Sequence, residues 1–115
     1  MFFKTARTKS KLINIATDML ADEYPDLDPA MIQACLAAAV IDHPIQSKQY
    51  DQVLKATQKY DTSDMGRASM LMAYVVENTD TSALTMPETI AVMEAMHEHT
   101  EGIRKQMKSF AGYGL

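Results

Sequence analysis

From Ala30 to Ile41 the chain reads AMIQACLAAAVI, twelve residues with one polar side chain, Gln33. This run falls well short of the roughly 20 residues that a membrane span requires. Its flanks mark it as a helix: Asp28 can cap the first free N–H groups, Pro29 suits the first helical position, and Leu27 can staple onto Ile32. The spacing predicts a helix over 29–42, ending before His43 and Pro44. A helix that is apolar all round has to be surrounded by others, so this second helix is expected at the centre of a bundle. Ala34, Ala37, Ala38 and Ala39 would let neighbouring backbones approach closely.

Four other helices are expected around it. Leu12, Ile15, Ala16, Met19 and Leu20 recur at helical spacing behind Ser10, a potential N-cap, and predict a first helix over 10–23 that Pro25 stops. The third, over 47–60, is cleanly amphipathic, with Tyr50, Val53, Leu54, Thr57 and Tyr60 on one side and Lys48, Gln52, Lys55 and Lys59 on the other. A fourth runs over 64–78 behind the cap-rich stretch DTSDMG. Thr85 with Glu88 forms a capping-box pattern around Pro87 and opens a fifth helix, which runs to Phe110 on a stripe of Met93, Met96, Ile103, Met107 and Phe110. Gly102 interrupts that helix at roughly 1 kcal/mol relative to Ala and is the expected bend.

No strand-period alternation competes with these patterns. The expected fold class is therefore all-α, a compact bundle of about five helices with an apolar central second helix. At 115 residues the chain makes one domain, and a domain of this size buries roughly two-thirds of its unfolded surface. Residues 10–111 are read as that domain, 1–9 as a flexible basic arm carrying Lys4, Arg7 and Lys9, and 112–115 as a short tail. A single cysteine, Cys35, leaves no internal disulfide and no cysteine-built zinc site, and no export signal opens the sequence. A cytoplasmic protein is expected.

The stretch MLMAYVV in the fourth helix is also apolar at every angle. With the second helix taking the centre, part of the fourth and fifth is expected to present a Met-rich contact surface of Met70, Met72, Tyr74, Val76, Met93 and Met96. The protein would then self-associate, most simply as a closed dimer, or bind another protein. No nucleophile has a recognisable partner, no Gly-rich phosphate loop is present, and no cofactor is expected, so the chain reads as a non-enzymatic regulator, adaptor or inhibitor of the kind that phages and mobile elements carry.

Two alternatives follow from charged side chains. Lys48, Gln52, Lys55 and Lys59 share a face and could contact phosphates and a base edge, which makes nucleic-acid binding the second expectation, although the net charge of -4 disfavours it. The same stripe, with the basic termini, would otherwise steer an acidic protein partner. Glu94 and His97 have the E-x-x-H spacing of carboxylate-bridged metal sites, with Glu101 one turn further, but a complete site would need a second subunit. Asp61, Ser63 and Gly66 begin like an EF-hand loop. Met65 and Met72 stand where its fifth and twelfth ligands belong, which excludes calcium there.

Overall fold

The computed structural model describes residues 2–42, 46–57 and 63–111. Among them are six α-helices and no strand: α1 (Phe2–Glu23), α2 (Pro29–Ala37), α3 (Gln46–Thr57), α4 (Asp64–Asn78), α5 (Pro87–His99) and α6 (Glu101–Ala111). A π-helical turn, Ala38–Asp42, extends α2, and a 3₁₀ turn, Thr81–Ala83, lies between α4 and α5. The all-α expectation holds. His43, Pro44, Lys59, Tyr60 and the tail 112–115 lie outside the described residues, as do the side chains of Lys4, Thr57, Met107 and Phe110.

Two helix starts follow the local chemistry. Asp28 accepts a hydrogen bond from the Ala30 N–H at 2.9 Å with Pro29 in the first turn, and Ser63 accepts from the Gly66 N–H at 3.1 Å. A third start departs from expectation, because α5 is capped by Met86 without any side-chain hydrogen bond, so the Thr85–Glu88 capping box does not form. α1 begins at Phe2, which puts Ser10 inside the helix and makes residues 2–9 helical.

The largest correction concerns the centre of the bundle. It is α4, in which every residue from Arg67 to Val76 except Tyr74 is buried, while α2 buries only Ile32 and Leu36 and its π turn only Val40. Ala34 and Ala38 face outward, and Ile41 is 41% exposed. The two apolar helices compete for one interior, and side-chain size decides. An alanine methyl gains about 0.8 kcal/mol on burial, whereas a Leu, Met or Val side chain gains about 1.5 to 3. Placing Met70, Leu71, Met72, Val75 and Val76 inside therefore stabilises more than placing the alanines of α2 there.

Around α4 pack α1, α3, α5 and α6, and α2 closes the bundle against α1 and α5. α1 contributes Leu12, Ile13, Ala16 and Leu20 to the core, α3 contributes Tyr50 and Leu54, and α5 contributes Val92, Met93, Ala95 and Met96. Lys48, Gln52 and Lys55 lie on the exposed side of α3, as its amphipathic pattern requires.

The fifth helix is not continuous. It breaks at Thr100, two residues before Gly102, whose surroundings are open. The buried Thr100 hydroxyl donates to the Met96 carbonyl at 2.6 Å, and Arg104 donates to the His97 carbonyl at 2.9 Å and to the Thr100 hydroxyl at 3.2 Å. The Met96 carbonyl also accepts the Thr100 N–H at 3.0 Å, and the Arg104 side chain supplies a donor to the His97 carbonyl in the last turn of α5.

Burial pushes the Tyr50 hydroxyl up to about 12, against a smaller opposing effect of the Asn78 side chain. The hydroxyl finds no hydrogen-bond partner among the described residues. Its removal relieves a desolvated polar group. Tyr50→Phe is therefore expected to leave stability unchanged or to raise it by up to about 1 kcal/mol in urea unfolding, and a loss of that size would show that the hydroxyl is bonded.

Candidate functional site

The outward alanines of α2 do not face a flat surface. They form one wall of an open groove of about 530 Å³, whose α2 side is Met31, Ala34, Cys35, Ala38 and Ala39. The opposite wall is Thr89 and Met93 of α5 together with Met86 at its N-cap. The end of α4 and the connection after it close the groove with Val75, Asn78, Asp80 and Leu84.

That connection is held in shape locally. Asp80 caps the 3₁₀ turn by accepting from the Ser82 N–H at 3.1 Å and from its hydroxyl at 2.5 Å, and Thr79 donates to the Val75 carbonyl at 2.6 Å. Leu84 packs back against the core. Because the α2 side chains at the surface are small, helix and connection stand apart and leave apolar space between them. Met86, 54% exposed, stands at this groove.

Cys35 is the one thiol of the chain and is half-buried in this groove. Burial pushes its pKa up, with a smaller lowering effect from the Thr89 hydroxyl. A thiol held protonated is a poor nucleophile, so Cys35 contributes to the groove as a small apolar side chain.

A second cleft, of about 420 Å³, is walled by the other side of α5 and by the segment linking α1 to α2. Four carboxylates line it: Glu23, Asp26, Glu94 and Glu98. Tyr24 stands among them, and burial, then the Glu23 and Glu98 charges, push its hydroxyl up to about 12.

The residues singled out by the sequence are distributed differently from expectation. Met70, Met72, Val76, Met93 and Met96 are buried within the single chain and Tyr74 is half-buried, so these side chains form core and not a self-association surface. Only Met93 among them reaches the groove. Lys48, Gln52 and Lys55 share an exposed face, with Asp51 between them engaged by Lys9 at 2.8 Å. Glu94, His97 and Glu101 do not assemble a metal site. The break at Thr100 puts Glu101 on α6, where it lies 3.5 Å from Lys105, and among the described residues no group of three or more His, Cys, Asp or Glu side chains could hold a metal ion.

One constellation had no signal in the sequence. The Ser69 hydroxyl lies 3.5 Å from His99 Nε2, and His99 Nδ1 lies 2.6 Å from a Glu23 carboxylate oxygen, joining the middle of α4 to the ends of α5 and α1. The order resembles a hydrolytic triad, but Ser69 is only 6% exposed and lies within α4, whose backbone N–H groups are committed to the helix. The α4 backbone therefore offers no free N–H beside Ser69 for an oxyanion, and the two contacts tie α4 to the ends of α5 and α1. Partners 30 and 76 positions apart in sequence leave no local pattern to read.

No helix among the described residues is long and apolar enough to cross a membrane. Comparison with known proteins adds no constraint: no family model, no curated protein and no solved structure matches the chain.

Proposed function

We propose that this protein is a small non-enzymatic binding protein of the cytoplasm, a regulator, adaptor or inhibitor, that takes an apolar helical face of another protein into the groove between α2 and α5. The observation that carries the reading is the groove itself. Its volume is that of a ligand site, its lining is mostly Ala, Met, Leu and Val, and its polar groups are confined to Cys35, Asn78, Thr79, Asp80 and Thr89. Methionines at such a surface adapt to the shape of a partner, and a groove between helices is the usual receptor for an amphipathic helix. The apolar run 30–41 then has two faces with two tasks, Ile32, Leu36 and Val40 toward the core and the alanines toward the partner.

Cys35 provides a built-in reporter. A dye-labelled peptide about five helical turns long with a leucine face is expected to bind saturably and to slow alkylation of the Cys35 thiol. Ala38→Trp fills the groove from an exposed position, so it should leave the thermal midpoint unchanged while weakening the peptide by about tenfold or more, the loss of one well-placed apolar contact. Equal binding by wild type and Ala38→Trp would overturn the reading.

A further inference from the structure

The charge around α5 says more about the partner. The two clefts that α5 walls carry Asp80 in one and Glu23, Asp26, Glu94 and Glu98 in the other, and among the described residues no Lys or Arg lines either. Glu88, in the first turn of α5 beside Thr89, is exposed and adds to the same sign. Glu23 faces His99, but among the described residues no ion pair neutralises Asp26, Glu94 or Glu98. Arg104 stands at the C-terminal end of α5, donating to the His97 carbonyl and lying 3.8 Å from Glu77, while Lys48 and Lys55 sit on α3, which packs on α4 and the π turn.

An apolar trough on one side of α5 and, across that helix, a row of carboxylates most of which form no ion pair among the described residues are together complementary to one kind of helix. Resting on the groove reading above, we infer that the partner is a basic amphipathic helix of another protein, whose apolar face enters the groove while its flanking Lys and Arg side chains lie over the carboxylates of α5. The acids act within a Debye length of about 10 Å, comparable with the roughly 10 Å diameter of the helix that separates them from the groove, so long Lys and Arg side chains reaching over α5 come within their field. They set the sign of the partner and raise the rate of encounter more than they add to final affinity. An acidic helix of the same apolar face would meet like charge along α5 and be rejected.

The test uses two labelled peptides of about five helical turns with the same leucine face, one flanked by lysines and one by glutamates. Binding to the full chain is followed by anisotropy at about 20 mM and about 500 mM salt. The lysine peptide is expected to bind about tenfold more tightly than the glutamate peptide at low salt, the sum of several exposed ion pairs, and to lose that preference at high salt. Glu94→Lys with Glu98→Lys, two exposed positions, should remove most of the preference without changing the circular dichroism spectrum, and Ala38→Trp should weaken both peptides.

Each alternative outcome has a separate meaning. Equal binding of the two peptides, with Ala38→Trp weakening both, overturns the charge inference and leaves the groove reading standing. A lysine preference that Ala38→Trp does not touch marks surface attraction alone and overturns both. Binding of neither peptide also overturns both, and a stable dimer by light scattering in that case gives the groove to a second copy of the chain.

Discussion

Replacing Met72 with glutamate is expected to abolish the cooperative thermal transition at neutral pH, while Ala38→Lys is expected to melt within about 0.5 kcal/mol of the wild type. Met72 is fully buried in α4, between α1 and the other helices packed on it, and Ala38 is exposed in the groove wall. A carboxylate at position 72 would have to be ionised in an apolar interior or protonated against its ordinary range. Either course costs several kcal/mol, a large part of the 5 to 15 that hold a typical domain together. The sign with pH follows: burial raises the carboxyl pKa of the folded state above its unfolded value, so the penalty shrinks as the pH falls toward the unfolded value and protonates the group in both states. Circular dichroism melts of both variants at neutral and mildly acid pH check the prediction. A cooperative Met72→Glu and an unfolded Ala38→Lys would return the central position to α2.

The pair of variants also marks what the sequence could and could not disclose. Helices were readable because their signals are local: Asp28 before Pro29, Ser63 before α4, and the repeat of Tyr50, Val53 and Leu54 along α3. Which of two apolar helices becomes the centre is not a local property. It depends on comparing the area each would bury against the others, and there the bulk of Met70 to Val76 outweighs the alanines of α2. Once α4 is inside, Met70 and Met72 cease to be surplus and α2 acquires an outer face. The same logic hid the candidate site, since the groove is assembled from α2, the end of α4, the 3₁₀ connection and α5. The helix break was displaced from Gly102 to Thr100 for a related reason. Glycine only permits a bend, whereas bonds from Thr100 and Arg104 to the Met96 and His97 carbonyls of the last turn stabilise one.

Asp51→Ala is expected to cost about 3 kcal/mol, more than Lys9→Met at the other end of the same ion pair. Lys9 belongs to the segment that the sequence reads as a flexible arm, yet it is 5% exposed, pairs with Asp51 at 2.8 Å and donates to the Val40 carbonyl at 3.2 Å. One ammonium thus ties α1 to α3 and to the π turn that ends α2. Its two partners differ in environment, because Asp51 keeps 43% of its side chain in solvent. Removing Lys9 but keeping its apolar length leaves a carboxylate that water can solvate, and the loss is limited to a hydrogen bond and a partly screened charge pair, about 1 to 2 kcal/mol. Removing Asp51 takes the counter-charge from an ammonium that is almost wholly buried, and its remaining hydrogen bonds, the one to the Val40 carbonyl among them, offset only part of the desolvation. Urea unfolding of the two single variants and of the double variant measures both the order and the coupling. If Lys9→Met proves the more damaging, the position stabilises by reaching the π turn, which carries Ala38 and Ala39 of the groove wall, and not by charge.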